Sequence, residues 1–318
     1  MPSFLKKQVS DYMDKESYTS FVGLFSQRKN KKEKARFIEN AQNYFKNLNI
    51  DLSIHEVKFG LTKISHLVFG DLKSAEVVLC AGYDTGELSL VGNGDYYPLQ
   101  ENRNRLNNFI NLTLTMLLSI IIAIIGIIFL AKSGKQEGVI KVLSIISGFV
   151  IIFLANRISK GLPNRSTCTK TASIYLMLKL AKKLRNKEVA YVFLDKGSFS
   201  KIGINFLNDD NLFSGKQLKI YFDCFGDGNQ LLISYDNMAE EKAKQIKSYC
   251  TFKSEGANLR DYTPNRFDDL ENIIAISNVF VEEDHGWKVK NVKKDIDLTT
   301  DPKAIDAVEQ AVEKMMGR

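Results

Sequence analysis

Residues 109 to 158 constrain the fold most tightly, because they hold two consecutive apolar runs inside a chain otherwise rich in charge. Phe109 to Ala131 (FINLTLTMLLSIIIAIIGIIFLA) contains no charged residue. As a helix rising 1.5 Å per residue, its 23 positions extend about 34 Å, enough for the ~30 Å hydrocarbon core of a bilayer. A connector with Lys132, Gly134, Lys135 and Glu137 follows, and Val139 to Ile158 supplies a second, shorter span. Lys141, near the start of that span, can snorkel to the interface. Core helices of soluble proteins rarely run this long without a polar face. The reading is a two-helix transmembrane hairpin.

About 108 residues precede the hairpin and about 160 follow it, so neither side is a tail. The expected organisation is 1–108 as the first part of an α/β domain, 109–158 as the hairpin and 159–318 as the second part of the same domain. The opening MPSFLKKQVSDYMDKES has neither a long apolar core nor a small-residue cleavage site, so no signal peptide is expected. Both large segments are then expected in the cytoplasm, with the protein a two-span component of the cell membrane. Flanking charge agrees: Arg103, Arg105, Arg157, Lys160, Arg165 and Lys170 lie at the outer ends, against Lys132, Lys135 and Lys141 near the connector. The net charge of +7 suits a surface beside anionic lipid, so the bilayer is an expected partner. Basic residues are not interleaved with aromatics and no recognition motif is present, which argues against nucleic acid. Cys80, Cys168, Cys224 and Cys250 are far apart without a CxxC, and read as reduced core thiols.

Outside the hairpin the periodicities alternate. Residues 33 to 48 place Phe37, Ile38, Ala41, Tyr44, Phe45 and Leu48 on one helical face, and an extended region covers 52 to 70. Val77 to Ala81, Val189 to Asp195, Leu218 to Asp223, Leu231 to Tyr235 and Ile273 to Val281 read as strands, most of them continuously apolar. Ala172 to Leu184 and Met238 to Tyr249 read as helices. Asp301 followed by Pro302 starts a last helix with the stripe Ile305, Val308, Val312 and Met315. This pattern predicts an α/β three-layer sandwich around a mainly parallel mixed sheet, interrupted by the hairpin.

In that order the local words VVLCAGYDTG (77–86), TKTASIYLMLKLAKKL (169–184), YVFLDKGSFSKIGINFL (191–207), IYFDCFGDG (220–228) and NVKKD (291–295) stand at strand ends or open helices. Together they resemble the zinc-dependent aminopeptidase family, which includes glutamate carboxypeptidase, glutaminyl cyclase and the ectodomains of transferrin receptor and nicastrin. The resemblance spans roughly 30 to 315 and implies an aminopeptidase-like fold. It also implies two zinc ions held by two His and three carboxylates, with a Glu as general base. The departures fall on that machinery. Gly82 stands at the first His position, Thr169 at the bridging Asp, Gly197 and Ser198 at the Glu-Glu pair and Asn291 at the last His. Asp223 alone stands at a ligand position, and Asp84 matches a residue behind the ligands.

The residue inventory agrees. His55, His66 and His285 share no metal-binding spacing, and no Gly-x-Ser-x-Gly or phosphate-loop motif occurs. GDGN (226–229) and NGD (93–95) read as turns, and Glu282 to His285 as a solvated loop. Neither catalysis nor a cofactor is expected. The expectation is a degenerate pocket of Gly82, Asp84, Thr169, Gly197, Ser198, Asp223 and Asn291 that binds rather than cuts. The protein would then be an accessory or scaffold subunit of a membrane complex, a transporter or a peptide-maturation assembly, with a peptide as possible ligand. An active zinc exopeptidase with rebuilt ligands, and a receptor for a small ligand, are the alternatives. Small residues in the spans (Ser119, Ala123, Ser144, Gly148) suit either packing within the hairpin or docking on a partner's helices.

Overall fold

The structure is a computed structural model and describes residues 28–60, 62–90, 94–159, 161–162, 168–184, 188–198, 201–282, 286–294 and 300–317. Its elements in chain order are α1 (Lys31–Lys46), β1 (Leu52–Phe59), β2 (Thr62–Phe69), β3 (Val77–Gly82), α2 (Glu101–Ser133), α3 (Gly138–Ser159), α4 (Cys168–Leu184) and β4 (Val189–Leu194). There follow β5 (Leu218–Phe225), β6 (Gln230–Tyr235), α5 (Glu240–Tyr249), β7 (Ser254–Asn258), β8 (Ile273–Glu282), β9 (Gly286–Lys288) and α6 (Pro302–Met315).

One mixed sheet runs β1-β2-β4-β3-β5-β8-β6-β7, with β9 added on β8. Its centre, β4-β3-β5-β8, is parallel. β3 and β4 carry the continuous apolar words VVLCAG and VAYVFL, and β5 the mostly apolar LKIYFDCF; all three are buried along their length, as sheets covered on both faces require. Towards the margins antiparallel pairs appear, β1 with β2, β2 with β4, and β6 and β9 with β8, while the edge strand β7 pairs parallel with β6. The extended region at 52–70 is therefore a hairpin, with His55 opposite His66.

Helices cover both faces unequally. On one side α1, α4, α5 and α6 bury Phe37, Phe45, Leu176, Leu180, Ile246, Ile305 and Val308 against the sheet. Asn30 caps α1 with a capping box to Glu33, and Asp301 caps α6 ahead of Pro302. Phe45 stacks on Phe69 at 3.9 Å and meets Phe193 edge-on, the kind of buried aromatic cluster whose truncation costs about 3–5 kcal/mol. The other face is closed by short helical turns, Lys201–Ile204, Asn205–Asn208 and Leu259–Tyr262, with Phe206, Phe213 and Phe267.

The helices α2 and α3 are long and apolar enough to cross a membrane, and only 11% of the most apolar window of each is buried. A core helix is buried; these stand out from the domain. The first turns of α2 are docked instead. Asn104 accepts from Tyr97 N (3.0 Å) and donates to Tyr97 O, while Asn111 accepts from Leu90 N (2.7 Å) and donates to Leu88 O. Within the hairpin the buried residues are small: Thr115, Ser119 and Gly126 on α2, Gly148 and Ala155 on α3. Ser119 Oγ donates to Ala155 O at 3.0 Å. A Cβ on Gly148 would lie 2.6 Å from Leu130 Cγ and 3.1 Å from Gly126 O, so the helices touch where neither has a side chain. Ser119 and Gly148 thus serve packing inside the hairpin, while Ala123 and Ser144 remain half-buried.

Candidate binding site at the strand ends

Parallel strands β3 and β4 end together, and Tyr83 N donates to Leu194 O as they diverge. Lys196 then takes a left-handed φ of 56° and turns the chain so that Gly197 and Ser198 fall against Gly82. Ser198 N donates to Asp84 Oδ1 (3.0 Å), and Ser198 Oγ donates to Asp84 O (2.6 Å). A Cβ on Gly82 would lie 2.5 Å from both Ser198 N and Oγ. The position that the aminopeptidase resemblance assigns to the first metal-binding His therefore has no room for a side chain.

Asp223 lies in β5 where the register with β8 shifts between Phe222 and Phe225, a bulge that re-aims side chains. Its carboxylate is fully buried and engaged by two cations: Lys170 Nζ at 2.6 Å and Arg266 Nη2 at 2.5 Å. Lys170 also donates to Asp223 O, and Ser277 Oγ donates to Oδ2. Arg266 Nη1 donates to Ser198 O (2.9 Å) and Gly197 O (3.3 Å), and Tyr221 Oη donates to Gly197 O. Arg266 is enclosed by the rings of Tyr96, Tyr221 and Phe267, each about 5 Å away. Burial pushes the Asp223 carboxyl up, but Arg266 and Lys170 outweigh it and hold it below the usual range. Burial likewise works against charge on Lys170, and Asp223 overcomes it to leave the ammonium above its ordinary value. Cys224 beside them is pushed up to about 12 by burial and by Asp223, an inert thiol.

Two zinc ions do not fit these residues. Asp223 spends its charge on Lys170 and Arg266, Asp84 is held by Ser198, and Gly82 excludes a ligand. Among the described residues no three His, Cys, Asp or Glu side chains group closely enough for a metal ion.

Of the seven residues singled out in the sequence, Gly82, Asp84, Gly197 and Ser198 form one cluster, and Arg266 joins Asp223 to it. Thr169 lies in the first turn of α4, with its side chain outside the described residues. Asn291 sits on a turn with φ 58° and bonds to Asp95 and Lys294. Residues 283–285 and 295–299 also lie outside the description, so the His285 loop and Asp295 have no structural account. Lys170, read from sequence as a membrane-flanking charge, is instead buried on Asp223. A cation on the apolar helix word TKTASIYL was the signal for it; Arg266 had none.

Beside the cluster a cavity of about 560 Å³ opens between the β3 end and the base of α2. Asp84, Thr85 and Glu87 line one side, and Tyr97, Arg103, Asn107, Asn108, Asn111 and Leu112 line the other. Arg28, Lys29, Lys34, Lys196 and Lys293 complete it. Arg28 is fully buried: Nε donates to Tyr83 O (2.5 Å) and Nη2 to Thr171 Oγ1 (3.1 Å). Burial lowers its pKa to about 10 against the pull of Asp84. Lys34 pairs with Asp195, and Lys29 with Glu87 at 3.4 Å.

Neither a protein-family model nor a curated protein matches the chain by sequence. Solved structures match in three dimensions. The glutaminyl cyclase of Porphyromonas gingivalis superposes with a TM-score of 0.55 at 12% identity, over 96% of this chain and 98% of that one. The Bacteroides thetaiotaomicron glutaminyl cyclase, bound to N-acetylhistamine, gives 0.54 at 11% identity, over 95% and 96%. The LapA aminopeptidase of Legionella pneumophila gives 0.52 at 11% identity, over 98% of this chain and 72% of that one. At such identities the likeness concerns architecture: a mixed α/β sheet with helices on both sides in an aminopeptidase and glutaminyl cyclase-like fold, in a chain that also has two long apolar helices.

Proposed function

We propose that this protein is a membrane-anchored, catalytically inactive aminopeptidase-like protein. It binds a peptide or protein as an accessory or scaffold subunit of a membrane complex, such as a transporter or peptide-maturation assembly. The observation that carries the reading is the Asp223 cluster. At the one position that matches a family metal ligand, two buried side-chain cations take the carboxylate, so Asp223 is not free to hold a metal that would activate water. The site has been rebuilt as a structural ion cluster, while the cavity beside it stays open.

Connectivity supports a single side for both flanks. β3, before the hairpin, pairs with β4 and β5, after it, so both flanks share one sheet and occupy one side of the membrane. Arg103, Arg105 and Arg157, with Lys160 and Arg165, against Lys132, Lys135 and Lys141 favour the cytoplasm for that side.

The test uses the full chain extracted in mild detergent. Elemental analysis is expected to find far less than one zinc per chain, with no turnover of aminopeptidase or N-terminal glutaminyl substrates. Stoichiometric zinc removed by a chelator together with activity would overturn the inactive reading in favour of a zinc exopeptidase. A membrane protein co-purifying in fixed ratio is expected; its absence from a folded preparation removes the accessory role. An impermeant thiol reagent should label Lys135→Cys, but not Ser254→Cys, in intact cells lacking other reactive thiols. The reverse pattern inverts the topology.

A further inference from the structure

The cavity at the base of α2 combines three features that the ion cluster does not explain. First, its walls hold six cationic side chains against the carboxylates of Asp84, Glu87 and Asp95. Those carboxylates are already engaged, Asp84 by Ser198 N, Glu87 by Lys29, and Asp95 by Lys288 (3.5 Å) and Asn291 N (3.0 Å). Arg103 and Lys196 form no ion pair among the described residues. Arg103 is held with its guanidinium 3.7 Å over the Tyr97 ring, which fixes it beside the cavity. Second, α2 presents the amides of Asn107 and Asn108, the latter also accepting from Lys293 Nζ, where its charged first turns give way to the apolar run that begins at Phe109. That is the level at which head groups meet acyl chains. Third, the α2 wall continues into Ile110 and Leu112, and the exposed Phe109 and Leu112 carry the apolar surface onward. A free anion has no use for such a wall.

We propose that this cavity binds the phosphate of an anionic phospholipid head group, with Arg103 and Lys196 as its principal cationic contacts and the acyl chains lying along α2. The inference rests on the hairpin crossing a bilayer. A bound lipid would hold the domain at a fixed height and orientation on the membrane surface, with the open cavity facing the lipid.

The experiment reconstitutes the full chain into nanodiscs of phosphatidylcholine, alone or mixed in equal parts with phosphatidylglycerol. Lipid retained after re-extraction is then measured by native mass spectrometry. Wild type is expected to retain phosphatidylglycerol in preference to phosphatidylcholine. The pair Arg103→Gln and Lys196→Gln, both outside the core, should reduce that preference at least about tenfold at unchanged thermal stability, while Lys135→Gln on the connector leaves it intact. Equal retention of the two lipids, or a preference untouched by the double variant, would overturn the proposal. Inorganic phosphate or glycerol phosphate that stabilised wild type as strongly as the lipid, and displaced it, would reassign the cavity to a soluble phosphate. Alkaline carbonate extraction scores the membrane reading separately. A chain released by carbonate defeats both readings, whereas a chain retained without lipid preference defeats this one alone.

Discussion

Replacing Asp223 by Ala separates a structural ion cluster from a dormant metal site. The substitution removes the carboxylate that Lys170 and Arg266 share, since both reach the same Oδ1, at 2.6 and 2.5 Å. Removing one partner of a buried ion pair typically costs about 3–5 kcal/mol. For a domain of this size each kcal/mol moves the melting midpoint by about 2–4 °C, so a fall of roughly 6–20 °C is expected by differential scanning fluorimetry in detergent. The pH dependence sharpens the test. In wild type, Lys170 is raised, so its contribution is complete below the unfolded value of about 10.4 and lost only above it. Asp223 is lowered, so its contribution is present above about 3.9 and lost as pH falls below. The cluster therefore adds a constant amount across neutral pH. In the variant, burial and Arg266 both lower Lys170, the unfolded chain holds the extra proton, and stability should rise with pH towards about 10.4. The gap between the two proteins then narrows in alkali. Adding Lys170→Met to the variant should recover part of the loss, because one charge rather than two is left buried. A cost below about 1 kcal/mol would mean that the cations are solvated. A wild type stabilised by zinc would mean that they yield to metal.

Three further outcomes are expected. His66 stacks on Phe206 at 4.2 Å, and burial, helped by His55, lowers its pKa to about 4, so the folded state excludes a proton that the unfolded chain accepts. Stability should fall as pH drops from about 6.5 towards 4, by up to about 3 kcal/mol, and His66→Phe should flatten that limb of the melting profile. Asn111→Leu removes the acceptor for Leu90 N and should cost about 1–3 kcal/mol, visible as lost hydrogen-exchange protection at the Leu90 amide; full protection would refute the seal between loop and helix. Gly148→Leu drives carbon into Leu130 and Gly126, and should lower the midpoint of unfolding in sodium dodecyl sulfate micelles by about 1–3 kcal/mol, whereas an unchanged midpoint would mean that the helices part without loss.

Strands with largely apolar words were legible because burial on both faces leaves no alternation to misread: VVLCA and VAYVFLD fall within one residue of β3 and β4. β7, with the sequence SEGAN, gave no such signal, since this mostly half-buried edge strand is short, polar and glycine-containing and has no apolar pattern to show. β9 is three residues stitched onto β8. The start of α2 escaped for a related reason. Its first two turns are charged and amide-rich, and their helical state rests on Asn104 and Asn111 bonding to the loop before them. At the site, the departures at Gly82, Gly197 and Ser198 could be read from single residues, but the partners of Asp223 could not. Lys170 and Arg266 lie 96 positions apart in the chain and acquire meaning only through a carboxylate on a third element. Gly197 shows the same limit. A Cβ there would meet Leu194 Cβ at 2.6 Å, so a bulky change tests the fold rather than the pocket.

The order of strands also imposes a schedule on synthesis. β3 finds no neighbour among the strands made before it, since β2 pairs with β1 and β4. It must wait for β4, completed at Leu194, about 110 residues after Gly82, and for β5 after that. At about 5–20 residues per second that wait lasts roughly 6–22 s, during which an apolar strand stands with both edges open. The two apolar helices are made in this interval, and on the membrane reading proposed above their insertion would hold the growing chain at the bilayer until the partner strands emerge. A defect in the spans would therefore be felt first as aggregation of the half-made sheet through the unpaired VVLCAG segment, before any loss of anchoring.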